Sequence, residues 1–346
     1  MSSRIVSVLF CLAALGACGD GQPLFDAAVP DVTNPGDGTD TDGDGELDSG
    51  VALPPGTNEP DADIGILRYE AANDLGGGLV TDVSYNARND TFSVDNLGFD
   101  GANVYSRGAA VATMGGFAVY DADVVTEDFL TGEQIDQIVP YRAILGLSTN
   151  EVVGEARTSF AIVRTGGYIG YGFGGFIYER NGEVILPTTG QATFAGDYAG
   201  IRVFDNLGGL EFTRADMRVS IDFEDFNAND AVIGRIYNRE AFDSAGNPIA
   251  TGGTDQLVLP DMHFVVQEGG ASLDSNGELR GNVSSSTFND SGALEEYEFG
   301  TYYGVIAGDT TTNPGGEIVG VIVVESDDPR YQGVTAQETG GFILYR

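Results

Sequence analysis

Residues able to do chemistry are few, and the densest set lies near the amino end. "DTDGDGELD" places Asp40, Asp42 and Asp44 at alternate positions, followed by Gly45, the Glu46 carbonyl and Asp48. Calcium takes several hard oxygens around a tight turn, and this order matches the opening positions of an EF-hand-like loop. The closing position is Val51 in place of a bidentate Glu, and no helical pattern flanks the loop. Two readings stay open: a weak calcium loop of an extracellular linker, and a solvated acidic linker with turn glycines.

"GGYIGYGFGGFIYER" carries Gly170, Gly172 and Gly175 in dinucleotide-fingerprint spacing. That fingerprint needs a helix opening at the loop, whereas Phe176-Ile177-Tyr178 is β-type. Read at period two, Ile169, Tyr171, Phe173 and Ile177 share one face, and Gly170, Gly172 and Gly174 leave the other bare. Either the aromatic face packs on the barrel inferred below, or Tyr168, Tyr171, Phe173 and Phe176 present a platform to a ligand.

His263 is the only histidine. A Ser-His-Asp or Cys-His site would have to use it, and no Gly-x-Ser-x-Gly elbow exists. One histidine excludes a histidine-rich zinc site but could serve as an axial haem ligand. Alternation with Met262 and Phe264 turns it away from the core. "DSGA" from Asp290 and "DSG" from Asp48 are similar to aspartic-protease triplets, but hairpin turns explain both. A carboxylate hydrolase is the remote alternative, and no residue is assigned as catalytic.

The chain opens with Arg4 and an apolar run from Ile5. The run is shorter than the ~18 residues of a spanning helix and has the layout of a signal peptide over residues 1–17. Leu15-Gly16-Ala17-Cys18 resembles a bacterial lipobox. The resemblance implies that Cys18 is acylated and becomes the mature amino terminus, while Cys11 leaves with the signal. Attachment then runs through lipid. The implied location is the outer membrane, facing the cell surface.

There are 53 acids and 16 bases, a net charge of −37, and every base is arginine. Such a chain repels phosphate backbones, which excludes nucleic acid as a partner. Between Gly19 and Asp63 stand twelve acids and no base, together with half of the 12 prolines. Residues 18–63 therefore read as a disordered, self-repelling tether.

From Ile64 onward, turn residues punctuate short β-type runs, which predicts an all-β fold. An irregular, β-rich handle-like subdomain is expected over 64–188, with a boundary at Leu186–Gly190. Eight candidate strands follow within 189–346: 191–204, 217–224, 231–239, 257–267, 278–285, 296–306, 317–325 and 341–346. Eight antiparallel strands can close into a barrel filled by side chains. "EIVGVIVV" is apolar on both faces, so its outer face needs a cover. "TGEQIDQIV", Thr131 to Val139, is the one helix-like stretch, stopped by Pro140.

Residues 192–346 carry Gly196 and Gly200 around Tyr198, then Asp222-Phe223 followed by Gly234-Arg235-Ile236. Tyr302-Tyr303-Gly304, Glu317 with Gly320, and Gly341-Phe342 with Arg346 complete the pattern. This pattern resembles the β-barrel of transferrin-binding protein B and related surface lipoproteins. The resemblance implies a single lobe in which residues 64–188 form the handle. It implies non-enzymatic capture of an extracellular protein or an iron or haem source, with hand-over to an outer-membrane transporter. Adhesion or a structural envelope role is the alternative.

Overall fold

Met217, Val219, Ile221 and Phe223 are buried, and Arg218, Ser220, Asp222 and Glu224 face outward. A strand with one dry face gives this alternation. The computed structural model describes residues 50–346 apart from 96, 99–101, 128–130, 137–139, 168–169, 225–230, 253–255, 266–270 and 290. The expectations on Cys18, Asp40, Asp42, Asp44, Glu46, Asp48 and Tyr168 fall outside the described residues, as does Asp290.

The described residues are all-β. Nine strands build the first sheet: β1 (Ile66–Tyr69), β2 (Val83–Asn86), β3 (Thr91–Val94), β4 (Val104–Arg107), β5 (Thr113–Met114), β6 (Phe117–Asp121), β7 (Arg142–Leu147), β8 (Thr158–Arg164) and β9 (Gly174–Arg180). They run in the order β1-β9-β8-β7-β6-β4-β3-β2, with β5 on β6. Eight more strands follow: β10 (Gln191–Asp205), β11 (Leu210–Asp222), β12 (Val232–Asp243), β13 (Met262–Phe264), β14 (Glu278–Phe288), β15 (Leu294–Asp309), β16 (Glu317–Asp327) and β17 (Thr335–Tyr345). Each pairs with the next, and β17 returns to β10 in a register running from Ala195↔Tyr345 to Asp205↔Thr335. The result is a closed, antiparallel, eight-stranded barrel, as the turn spacing predicts. The chain crosses between the two sheets after Arg180, where Val184–Ile185 pairs in parallel with Gly308 and Asp309 of β15.

Three apolar clusters follow from this arrangement. Phe194, Met217, Phe264, Ile322 and Phe342 belong to the barrel interior. The barrel's outer face meets the first sheet through Ile201, Phe212, Val319 and Val321 against Ile144, Phe160, Ile162 and Phe176. The far side of the first sheet is covered around Phe92, Tyr105, Tyr120 and Tyr141. The cover predicted over "EIVGVIVV" is thus the handle sheet: Ile318, Ile322 and Val324 point in, while Val319 and Val321 point to the handle.

Two adjacent glycines in the closing strand allow the tight packing. A Cβ on Gly340 would lie 2.0 Å from the Tyr198 hydroxyl, inside the barrel; one on Gly341 would lie 2.2 Å from the Phe160 ring, outside it. Consecutive strand residues face opposite sides, so "GG" bares both faces to a ring at once.

Two expectations are corrected. Gln134–Asp136 is a strand paired with Val125–Glu127, where a helix was predicted. So short a segment cannot offset the cost of helix nucleation, and the ladder to a neighbour wins. Backbone pairing with the sheet also includes residues before Ile64. Thr57 donates from its backbone nitrogen to Leu67 O at 2.9 Å, and Tyr69 donates to Pro55 O at 3.0 Å. Composition made residues 54–63 look like tether, but their carbonyls are needed by buried arginines described next.

Candidate functional site

The inside of the barrel is charged at one end. At Arg214/Asp216 the β11–β12 register shifts, so that Asn238 and Arg239 stand opposite the single residue Ala215. Asn238 takes the left-handed conformation, φ 57°. A bulge changes the phase of a strand. Before it Val232 and Ile236 point inward; after it Arg239 does. Its guanidinium donates to Glu298 Oε2 at 2.6 Å and Oε1 at 3.0 Å, and to Glu338 Oε2 at 3.0 Å. Tyr198 and Thr213 donate to Glu338 Oε1 at 2.7 and 2.9 Å, and Ser285 donates to Glu298 at 2.6 Å. Arg202 lies 3.7 Å from Glu338 and 3.5 Å from Asp328. Arg330 then ties Asp328 to Glu211.

Burial disfavours the ionised form of Glu338, yet Arg239 and Arg202 overcome it and hold the carboxyl below its ordinary value. Burial first, and the Glu338 charge second, push the Tyr198 hydroxyl well above the tyrosine range. Each carboxylate of the network has an arginine within ion-pairing distance. The arrangement is structural chemistry.

Charge also stitches the seam between handle and barrel. Arg68 of β1 grips Glu278 of β14 with both arms of the fork, at 2.6 and 2.8 Å. Arg164 of β8 reaches Glu70 at 2.9 Å and donates to Thr339 Oγ1 of β17 at 2.9 Å. Arg180 of β9 donates to the carbonyls of Asn276, Ile306, Asp61 and Ile64 at 2.7–3.0 Å. This is why residues 54–63 belong to the fold.

Along the seam opens a cleft of about 540 Å³, lined among others by Pro54, Glu70, Asn73, Phe176, Tyr303 and Gln337. Its lining is mixed, with Leu53, Pro54, Phe176, Tyr303 and Val323 beside Glu70, Asn73, Asn282 and Gln337.

The predicted aromatic platform is not assembled. Tyr171 is 6 % exposed and donates to Thr335 Oγ1 at 3.2 Å; Phe176 is 3 % exposed within the seam. Of the three described members only Phe173, at 47 %, faces solvent. Gly170 and Gly172 have φ of 57° and 73°, so the chain turns there and the assumed alternation breaks. The strand begins at Gly174, and no helix opens at the glycines. Of the two readings, packing on the barrel describes Tyr171 and Phe176. His263 is exposed on the outer face of β13 between buried Met262 and Phe264, as alternation predicts. Sequence reasoning missed the ion network. Its one local signal is the inward-facing Arg202 between buried Ile201 and Val203 in a strand otherwise apolar there.

The fold is one handle-plus-barrel lobe. No protein-family model and no curated protein matches the sequence. Among solved structures, the chain is similar to transferrin-binding protein B of Haemophilus parasuis, a vaccine antigen, at 12% identity and TM-score 0.33, over 77% of this chain and 45% of that one. An intact transferrin-binding protein B with N and C lobes gives 13% identity and TM-score 0.34, over 77% and 46%. A surface lipoprotein gives 12% identity and TM-score 0.27, over 57% and 79%. The chain thus spans less than half the length of the transferrin-binding structures it matches.

Proposed function

We propose that the protein is a non-enzymatic lipoprotein, anchored to the outer membrane through Cys18, which displays its lobe to an extracellular protein ligand. The observation that carries the reading is the filled barrel. An eight-stranded barrel either packs its own side chains or holds one small ligand. Here Phe264 and Tyr302 stack with centroids 3.6 Å apart, and the arginine–carboxylate network occupies the other end. Recognition is therefore a matter of the outer surface, where the handle, the barrel loops and the seam cleft are available. A protein ligand fits a broad outer surface better than haem does, since Tyr171 is buried and His263 stands exposed on a strand. The Asp40–Asp48 loop remains a candidate weak calcium site within the leader that would space the lobe from the bilayer.

Protease shaving of intact cells, with mass spectrometry of the released peptides, tests the display. Peptides from the lobe are expected before lysis, and their recovery only after lysis would overturn surface exposure. Fatty-acid labelling tests the anchor: Cys18→Ser should lose label and leave the membrane fraction. A Soret shift with hemin that His263→Ala removes would replace the protein ligand by haem.

A further inference from the structure

On the outside of the barrel the ladder aligns two arginines and the single histidine. Arg218 of β11 stands directly opposite Arg235 of β12, Arg235 opposite His263 of β13, and His263 opposite Ser284 of β14. Arg218, Arg235 and His263 are all exposed, while their chain neighbours Met217, Ile236 and Met262 are buried. Like charges directly opposite on antiparallel strands repel each other. The juxtaposition stands out in a chain with 53 acids and 16 bases, where Arg68, Arg164, Arg202 and Arg239 are all buried on carboxylates.

Between the strands lies a groove of about 340 Å³ lined by Arg218, Ser220, Ile233, Arg235 and Tyr237, with no acid in its wall. Among the described residues no carboxylate pairs with Arg218. Arg235 is ion-paired on one edge and stacked on one face: Asp261 accepts from its Nε at 3.0 Å and also from its Nη2, and its guanidinium lies 5.2 Å from the Tyr237 ring centroid, so Nη1 is the nitrogen Asp261 does not use. Directly opposed residues have Cβ atoms about 5 Å apart, close enough for two guanidinium forks to converge on one group. The unpaired Arg218 fork matches the paired oxygens of phosphate, and Arg235 Nη1 and the Ser220 hydroxyl add further donors.

We propose that this groove binds a phosphate group, held between Arg218 and Arg235, with His263 at its edge. The net charge of −37 does not forbid it. Exposed charges more than a Debye length away, about 8 Å at physiological salt, are largely screened, which leaves Asp261 on Arg235 as the acid the phosphate has to tolerate. The site stands whether or not the protein is surface-displayed.

The single histidine makes a clean reporter. The full chain carrying Cys18→Ser, which has no acyl group to drive membrane binding, is titrated with inorganic phosphate while the His263 ring Cε1–Hε1 signal is followed by NMR. A saturable shift is expected. Arg218→Ala and Arg235→Ala should each weaken it about tenfold, the scale of a lost charged hydrogen bond. Arg214→Ala serves as the control, an exposed arginine of the same strand paired with Glu240, and should leave the titration unchanged. Flotation with phosphatidylcholine vesicles, with and without phosphatidic acid, separates the sources. Phosphatidic-acid-dependent flotation that Arg218→Ala abolishes assigns the groove to a lipid headgroup. Saturation by free phosphate without flotation assigns it to a soluble phosphate. Neither a saturable shift nor phosphatidic-acid-dependent flotation, or binding that survives in both arginine variants, overturns the proposal.

Discussion

At one end of the barrel interior Phe194, Met217, Phe264, Phe342 and Leu344 meet in a dry cluster; at the other Arg202 and Arg239 face Glu298 and Glu338. The same strands supply both ends. The apolar end is held by burial, which has no direction and tolerates exchanges of similar volume. The charged end is held by bonds that require each fork and each carboxyl in place, because every ion there has given up water. Its geometry depends on a bulge at Asn238, so the two ends also differ in how much backbone irregularity they need.

The largest expected effect breaks the charged end alone. Arg239→Met leaves Glu298 and Glu338 short of a cation and should cost about 3–5 kcal/mol, the range for one partner lost from a buried pair. Equilibrium urea unfolding measures it. Replacing Arg239, Glu298 and Glu338 together by apolar residues of similar volume should cost far less, since no ion is then stranded. If the triple variant is as unstable as Arg239→Met, directional bonding contributes more net stability than this comparison allows. Protons open the same end. Glu338 sits below its ordinary 4.5, so its stabilising contribution is complete above that pH and is lost as pH falls through the folded value. Asp197 runs the other way: burial, and Asp216 opposite it, raise its carboxyl, so its penalty appears as pH rises. Acid unfolding with its midpoint below 4.5, blunted in the triple variant, is the expected result.

A smaller effect probes the junction of the two ends. The Tyr198 ring lies across Gly340 to reach Glu338. Gly340→Ala puts a methyl into that ring, and overpacking of this kind costs about 1–3 kcal/mol. The near-ultraviolet dichroism should change with it. A variant of unchanged stability and spectrum would show that Tyr198 can reach its carboxylate by another path.

The apolar end was legible in the sequence and the charged end was not, for a physical reason. Period-two alternation is local, so Met217–Phe223 announces its faces, while the unbroken apolar run "EIVGVIVV" announces that both of its faces are covered; eight β-type runs suffice to propose closure. The partners of the ion network are far apart in the chain: Arg202 and Glu338 touch only once β17 has returned to β10. The bulge also inverts the phase that would have put Arg239 outside. The aromatic platform failed for a related cause. Left-handed glycines at 170 and 172 turn the chain where a regular strand was assumed, and Tyr171 enters the seam. In the Arg218–Arg235–His263 row, alternation with Met262 and Phe264 turns His263 outward in the sequence, but the alignment of the three is a property of register.

The smallest effect tests the apolar end by making it drier. Tyr302 is fully buried against Phe264, and among the described residues its hydroxyl has no hydrogen-bond partner. Burial alone raises it far above the ordinary tyrosine value. An unsatisfied buried hydroxyl carries a desolvation cost of about 1–3 kcal/mol, and its removal forfeits no bond. Tyr302→Phe keeps the stacked ring and its volume. It should therefore stabilise the barrel, by about 1 kcal/mol once the small void left by the oxygen is set against the gain. At the charged end the matching exchange, Tyr198→Phe, deletes a donor to Glu338 and should destabilise. Opposite signs from one chemical change at two positions, read in the same unfolding assay, would establish that the two ends obey different rules; equal signs would dissolve the distinction.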